Sequence, residues 1–302
     1  MSSDGKWPAE IPATLYFANS NAPGEFEAGL EEKRRKGGFI YAIDYFWVDG
    51  WLGGGGWRLV TPFLTSGTLE TLAGLVRHCK MTPKELDLLY RKRFRGVLEA
   101  LKEMHDIGYT HDDVKMDNIF ISPTNSFLLG DLGNVREHAH DLHTLKDIHT
   151  GAKDYRVGDT QRAIRTYLTF LRVSCGDKRW FDYEFGARRE EWSKFYWRCK
   201  DSNATAKELL WSDPFWAEGE GAREGLCNEF EAQIDKMREE IRRWKLGETK
   251  QPEWYVGEKC ENCCYKRMAW DSTNVENELA CVCCGFMERF TPWKRRLSQS
   301  SY

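Results

Sequence analysis

Apolar residues recur at helical spacing along two long stretches of the chain. The first stretch predicts a helix from Thr82 to Ile107, which Gly108 ends. Its apolar stripe consists of Leu86, Leu89, Phe94, Val97, Leu98, Leu101 and Met104. The second stretch predicts a helix from about Ala222 to Leu246, because an apolar residue returns at every third or fourth position.

Shorter patterns predict further helices and two hairpins. A helix is expected over residues 69–79, capped by Thr68 or Thr71, with a buried helix over 160–173 and a charged helix over 24–36. The strand patterns are a short candidate at residues 14–18 and two pairs of runs that enclose turns. Those pairs, each predicting a β-hairpin, are 39–48 with 57–63 and 119–121 with 127–129.

Composition narrows the class of protein. With 302 residues, 41% of them hydrophobic and 30% charged, the chain can bury a core and is not a disordered tail. The net charge of −3 argues against a protein built chiefly to hold nucleic acid. No apolar run is long enough for a membrane span and no signal-peptide pattern opens the chain. We therefore expect an intracellular protein of cytoplasm or nucleus, without membrane contact and with reduced thiols.

The loop that follows the long helix carries the groups that phosphoryl transfer needs. Asp113 can orient a hydroxyl nucleophile and accept its proton, and Lys115 can offset charge on the transferred phosphate. Asn118 and Asp131 can supply oxygen ligands to Mg²⁺. The alternative interpretation is that these side chains only cap turns.

This segment resembles the active centre of a known enzyme family. Residues 111–118 have the sequence HDDVKMDN, and DLG begins at Asp131, 13 residues after Asn118. Both are similar to the catalytic loop H-R-D-L-K-x-x-N and the metal-binding turn D-F-G of eukaryotic protein kinases. The resemblance implies that His111 braces the loop and that Asn118, Asp131 and Gly133 help to bind ATP with Mg²⁺.

The resemblance extends over residues 10–217. Asp159 stands where kinases keep an aspartate that braces the catalytic loop, and residues 204–216 look like a late kinase segment. It implies an α+β, two-lobed kinase-like fold, with residues 1–66 as a reduced N-lobe and 67–217 as a helical C-lobe.

The chain also departs from the kinase pattern. It lacks the glycine loop G-x-G-x-x-G and the strand lysine, and residues 53–56 fit a turn between strands better than a phosphate loop. Asp112 replaces the arginine before the catalytic aspartate, so a phosphate on the downstream segment is expected to meet no cation there.

These departures leave three functions open. The first is a divergent Ser/Thr-type protein kinase with a protein substrate. The second is a pseudokinase that acts as a scaffold for a protein partner. A small-molecule kinase of the aminoglycoside or choline type is the third, and Lys115 and the 204–216 segment argue against it.

Cysteines are concentrated near the C-terminus. Two C-x-x-C pairs, separated by 17 residues, have the spacing of a structural zinc site. The expected ligands are Cys260, Cys263, Cys281 and Cys284. Four soft thiolates suit Zn²⁺ better than a hard cation.

The cysteine-rich segment resembles a zinc ribbon over residues 251–290. A connecting helix over 218–250 precedes it and a basic tail, 291–302, follows. Cys264 or Cys283 could replace a neighbouring ligand, and free cysteines or a redox dithiol pair are the alternatives to metal. Ribbons bind proteins, nucleic acids or neither, so nucleic-acid binding stays open for this module although the net charge argues against it.

Overall fold

The computed structural model describes residues 8–18, 38–48, 55–138, 140, 154–212, 214–216 and 220–254. The chain divides into two compact units, Met1–His143 with Ala152–Arg238 and Thr144–Gly151 with Glu239–Tyr302. In the second unit the described residues are 239–254, where the Trp254 indole donates a hydrogen bond to Glu240 Oε2 at 2.8 Å. The remaining elements described below belong to the first unit, apart from the end of the last helix.

Helices dominate the described residues. The α-helices are α1 Glu10–Phe17, α2 Leu69–Val76, α3 Pro83–Asp106, α4 Tyr155–Ser174, α5 Lys178–Ala187, α6 Glu191–Ser202, α7 Ala206–Ser212 and α8 Glu220–Lys245. Short 3₁₀ turns lie at Arg77–Cys79, Met116–Asn118, Leu132–Asn134 and Pro214–Trp216. In the part of the chain that the structure describes, no helix is both long and apolar enough to cross a membrane.

Short strands accompany the helices in three antiparallel pairs, β1–β2, β3–β6 and β4–β5. Their bounds are β1 Asp44–Val48, β2 Gly56–Val60, β3 Tyr109–Thr110, β4 Ile119–Ile121, β5 Phe127–Leu129 and β6 Arg136–Glu137. Helices and small antiparallel pairs in one chain agree with the predicted α+β class.

The long helix α3 forms as its sequence predicts. Thr82 and Glu85 make a reciprocal capping box, in which each side chain accepts the backbone N–H of the other residue. Pro83 occupies the first turn, where its missing N–H costs nothing, and Gly108 follows the helix with φ of +85°. The predicted stripe is buried, and α3 packs against α4 and α7 at the centre of the core.

Both predicted hairpins and the cap of α2 are confirmed. The pairs β1–β2 and β4–β5 have the predicted antiparallel arrangement, and the Thr68 side chain caps α2. The first hairpin is shorter than the apolar run, because Phe39 leaves it to bridge Leu129 of β5. Ile40 continues this contact by donating its N–H to the Leu129 carbonyl at 2.8 Å.

The strand predicted for residues 14–18 is wrong, because these residues belong mainly to α1. Ile11, Thr14 and Phe17 are the buried positions, and their spacing of three residues marks one face of a helix. Phe17 packs edge-on against Tyr109 with ring centroids 5.7 Å apart, so α1 lies against the chain that enters the catalytic-looking loop.

Other helices also differ from their predictions. The predicted helix over residues 160–173 begins at Tyr155, because the Asp154 side chain caps it by accepting the Arg156 N–H at 3.0 Å. The sequence patterns did not predict α5 and α6. The helix expected over residues 24–36 lies outside the described residues.

The predicted connecting helix is present as α8, and its first part packs on the core. Three apolar residues spaced along it are buried, namely Phe230, Ile234 and Met237. Glu231 forms an ion pair with Arg93 of α3 and accepts a hydrogen bond from Asn125 in the β4–β5 turn at 3.3 Å.

A buried ion pair joins α3 to its neighbours. Asp87 pairs with Arg91 one turn later, and Arg91 Nη1 donates to the Phe215 carbonyl at 2.7 Å. The Tyr167 hydroxyl of α4 donates to Asp87 Oδ1 at 2.8 Å. Burial raises the pKa of Asp87, whereas the charge and hydrogen bond of Arg91 oppose that shift.

Replacing Arg91 should therefore destabilise the fold strongly. Arg91→Met leaves the Asp87 carboxylate buried without its cation, and we expect a loss of about 3–5 kcal/mol in the free energy of unfolding. Arg95→Gln is the matched control, because Arg95 forms an exposed pair with Glu99 at 3.0 Å and its loss should cost about 1 kcal/mol or less. Urea unfolding measures both variants, and equal losses would contradict the interpretation.

Candidate functional site

The site lies where the loop over residues 111–118 meets the turn over residues 130–134. The loop follows β3 and the turn precedes β6, and these two strands pair with each other. At the far end of the loop, the Gly130 N–H donates to the Asn118 carbonyl at 2.9 Å. Backbone hydrogen bonds therefore hold the loop and the turn together at both ends.

Asp159 of α4 anchors the backbone of the loop. Its buried carboxylate accepts the N–H of His111 at 2.6 Å and the N–H of Asp112 at 2.9 Å. Burial alone raises the pKa of Asp159, but a hydrogen bond from His105 and the charge of Arg162 lower it by more. Its pKa therefore lies well below the usual range, and the predicted bracing of the loop by Asp159 is confirmed.

His111 is buried and connects the loop with the turn. Its Nδ1 accepts the N–H of Asp113 at 3.3 Å, which places the ring proton on Nε2. Nε2 then donates to the Gly130 carbonyl at 3.2 Å. Burial lowers the pKa of His111, and its two hydrogen bonds make the ring a brace between loop and turn, which is the role that the resemblance implies.

Three donors converge on one oxygen of Asp113. Its Oδ2 accepts from Lys115 Nζ at 2.7 Å, from Asn118 Nδ2 at 3.2 Å and from Asn134 Nδ2 at 3.4 Å. Its Oδ1 accepts no hydrogen bond from the described residues, and the side chain is 31% exposed. We call Oδ1 the open oxygen, because it has no hydrogen-bond partner among the described residues and belongs to a partly exposed side chain.

Lys115 lies beside this carboxylate with nearly half of its side chain exposed. The hydrogen bond to Asp113 raises the pKa of Lys115, which keeps the ammonium group charged near neutral pH. The structure therefore brings together Asp113, Lys115 and Asn118, all three of which the sequence predicts as site residues.

A backbone hydrogen bond brings Asn118 near Asp131, because Gly130, the residue before Asp131, donates its N–H to the Asn118 carbonyl at 2.9 Å. Asn118 uses Nδ2 to donate to Asp113, and its Oδ1 accepts no hydrogen bond within the described ranges. Asp131 is exposed, has φ of +56°, and follows Gly130, the residue bonded to Asn118. At Gly133 in the same turn, an added Cβ would meet Asp131 Oδ1 at 3.5 Å, so glycine keeps that side of the carboxylate uncovered.

The donor set formed by Asn118 and Asp131 fits Mg²⁺. Magnesium bound with a nucleotide takes one or two protein carboxylates and completes its shell with phosphates and water. In the described part of the chain, no three His, Cys, Asp or Glu side chains cluster as an all-protein metal site. A metal that enters with ATP does not need such a cluster.

Sequence reasoning missed four residues that contact the loop over residues 111–118. Asn134 holds Asp113, and the Thr166 hydroxyl of α4 donates to the Val114 carbonyl at 3.1 Å. Arg136 and Arg162 both lie beside Asp112. The positions of the two arginines carried a signal, because Arg136 stands three residues after Gly133 of the DLG turn and Arg162 stands one helical turn after Asp159.

The prediction that no cation lies beside residue 112 is wrong. Arg136 Nη1 contacts Asp112 Oδ2 at 3.0 Å, and Arg162 Nη1 lies 3.7 Å from Asp112 Oδ1. The prediction failed because it considered only the residue that replaces the arginine and not the neighbours drawn to its carboxylate.

Glu10 of α1 also lies at the site, although the strand prediction for this region gave it no role. An added Cβ on Gly133 would lie 3.8 Å from Glu10 Cβ. Burial, followed by the negative charge of Asp131, raises the pKa of Glu10. The first turn of α1 therefore faces the DLG turn.

The predicted zinc ligands, Cys260, Cys263, Cys281 and Cys284, lie outside the described residues. The same holds for the start of the glycine run, residues 53–54.

The site as described offers a fixed carboxylate with one open oxygen, a neighbouring ammonium group and two oxygen donors. This arrangement can orient a hydroxyl group and bind a cation that carries phosphates. No protein-family model matches the chain, and a search of curated proteins likewise found no match. The function therefore has to be inferred from the geometry of the site.

Asp159 should make the stability of the protein depend on pH in a defined window. Because its pKa is lowered in the folded state, its contribution is complete above about pH 4 and is lost as the pH falls further. Asp159→Asn should cost about 3–5 kcal/mol at pH 7, and this difference from the wild type should shrink below about pH 4.

The measurement is urea unfolding of both proteins at several pH values. Asp201→Asn is the control, since Asp201 is largely exposed and its nitrogen partner on Arg188 is 3.7 Å away. A difference between wild type and Asp159→Asn that is the same at pH 7 and in strong acid would show that the carboxylate charge is not what stabilises the loop.

Proposed function

We propose that the chain is a divergent protein kinase-like phosphotransferase that moves the γ-phosphate of ATP to Ser or Thr hydroxyls. The observation that carries the proposal is the state of Asp113, which has one oxygen held by three donors and the other open. A group that must align a nucleophile and accept its proton needs this combination of fixed position and access.

The proposed reaction assigns a role to each side chain. The open oxygen of Asp113 accepts the proton of the substrate hydroxyl. The hydroxyl oxygen forms the new bond to the γ-phosphorus, while the bond between the γ-phosphorus and the oxygen of the β-phosphate breaks and ADP leaves. Lys115 offsets charge on the transferred group. Asn118 and Asp131 would hold Mg²⁺, which supplies charge neutralisation on the phosphates when it is bound.

A two-lobed kinase-like fold is part of this proposal. In its support, the catalytic-looking loop, a β-hairpin and the DLG turn follow one another along the chain and meet in space. The proposal assigns residues 1–66 to a reduced N-lobe and residues 67–217 to the C-lobe. The packing of α8 through Phe230, Ile234 and Met237 adds its first part to that C-lobe.

A scaffold without catalysis is the second candidate function. Residues 8–18, 38–48 and 55–66 contain no lysine, and Arg58 is their one cationic side chain. The β1–β2 hairpin instead exposes large apolar groups, including Phe46 and Trp47, each more than a third exposed. Such a surface suits a protein partner better than nucleotide phosphates.

Replacing Asp113 should separate these two functions. Asp113→Asn removes the proton acceptor but keeps the shape of the side chain, so phosphate transfer to a Ser/Thr peptide library should fall about 100-fold or more. Stabilisation by ATP with Mg²⁺ should persist, because the magnesium ligands remain. Asp201→Asn should change neither quantity.

The assay measures γ-phosphate transfer and melting temperature on the full chain. Transfer that survives in Asp113→Asn would refute the catalytic assignment. A wild-type protein with neither transfer nor a nucleotide-dependent shift in Tm would favour the scaffold.

The zinc ribbon is a separate proposal that rests on the spacing of its four cysteines. Metal analysis of the purified protein should return about one Zn²⁺ per chain, and Cys260→Ser or Cys281→Ser should reduce it strongly. Cys79→Ser is the control, because Cys79 is a free thiol between α2 and α3. Full zinc content in the two cluster variants would contradict the site.

A further inference from the structure

We propose that Asp112 and Arg136 form a positioning pair that sets the catalytic loop against the DLG turn, and that the pair makes phosphate on the downstream segment unnecessary. The inference deepens the proposed function and rests on it for its catalytic part. Its structural part, the ordering of loop and turn by this pair, can be tested without any activity.

The contacts of Asp112 connect three elements. Its side chain is only 5% exposed, and Oδ2 accepts from Arg136 Nη1 of β6 at 3.0 Å. Arg162 of α4 lies 3.7 Å from the other oxygen and also bonds to Asp159 at 2.9 Å. One buried carboxylate therefore joins the loop to the strand after the DLG turn and to the helix that braces the loop.

The backbone at Asp112 directs neighbouring carboxylates to different partners. Asp112 has φ of +64°, in the left-handed region that residues other than glycine seldom adopt. Its N–H is held by Asp159, while the next residue, Asp113, faces Asn118 and Asn134. This strained conformation persists because surrounding contacts fix it, and the contact with Arg136 is one of them.

The strand pairing that joins the loop to the turn is short. The ladder between β3 and β6 has two residue pairs, Tyr109 with Glu137 and Thr110 with Arg136. A ladder of this length is marginal without side-chain support. Asp112, two residues beyond Thr110, reaches back to the same Arg136 and adds a charged contact at the end of the ladder.

Among the described residues, the cluster contains two carboxylates and two guanidinium groups. Asp112 and Asp159 supply two carboxylates, and Arg136 and Arg162 supply two guanidinium groups. A phosphate arriving from another segment would have to compete with a carboxylate that is already buried against both arginines. The internal carboxylate thus occupies the cations that a phosphate would otherwise need for ordering the turn.

The test is a double-mutant cycle on the full chain with Asp112→Asn, Arg136→Gln and the double variant. Hydrogen exchange of peptides covering residues 109–118 and 131–138 reports the ordering, and steady-state kinetics report kcat and the KM for ATP. Asp106→Asn is the matched control, because it removes an exposed ion pair with Lys102 a few residues before the loop.

In each single variant, the amide hydrogens of these peptides should exchange about tenfold faster, and the exchange rates of α3 and α4 peptides should be unchanged. The kcat should fall about 100-fold, because displacement of catalytic groups slows the chemical step, while the KM for ATP should change by less than about threefold. The double variant should be no worse than either single one, and Arg136→Lys should recover most of the kcat. Phosphatase treatment of the wild type should leave its kcat unchanged.

Unchanged exchange, additive losses or a phosphatase-sensitive kcat would overturn the proposal. If a single variant speeds hydrogen exchange throughout the protein, Arg136→Lys decides between a local and a global effect. This variant keeps the charge, so the proposal requires that it also keep slow exchange of the two peptides and most of the kcat. A wild type that transfers no phosphate refutes the proposed catalytic function, and the exchange cycle by itself then decides whether the pair orders loop and turn.

Discussion

One buried carboxylate, that of Asp159, organises the candidate site. It accepts two consecutive backbone N–H groups from the loop, at His111 and Asp112, and so fixes the backbone immediately before Asp113. A buried carboxylate is tolerated only when donors and cations surround it, and here His105 and Arg162 complete that environment. The positions of the reactive groups follow from this anchor.

The anchored backbone also fixes the positions of the side chains in the loop. His111, neutral because it is buried, joins the loop to Gly130, and Gly130 in turn bonds to the Asn118 carbonyl. Asn118 can then hold Asp113 with its amide nitrogen and keep its oxygen for a cation. The proposed phosphoryl-transfer site is thus built from successive hydrogen bonds, and each bond positions the residue that makes the next one.

Much of this arrangement was predictable because it is encoded locally. The helix α3 has a continuous apolar stripe, a capping box and a terminal glycine, and the hairpin β4–β5 has matched apolar runs around a turn. The convergence of Asp113, Lys115 and Asn118 follows from their spacing in one short loop. The bracing role of Asp159 came from the family resemblance, which aligned it with a known position.

The wrong predictions share a physical cause. They concern features that depend on contacts with distant parts of the chain. Three buried positions in the eight-residue α1 are too few to separate a helix from a strand by pattern alone. The partner of Asp112 is 24 residues away, and the contact depends on a left-handed backbone that only a minority of aspartates adopt. Pairings of this kind become visible only when the fold is known.

The central claim is that this hydrogen-bonded loop and turn bind ATP through a metal. Isothermal titration of the full chain with ATP, once with Mg²⁺ and once with a chelator in excess, tests that claim most directly. The account predicts saturable binding of one nucleotide per chain that weakens strongly when Mg²⁺ is removed, since Asn118 and Asp131 contact the nucleotide only through the cation. Binding of equal strength with and without Mg²⁺, or no binding at millimolar ATP, would contradict it.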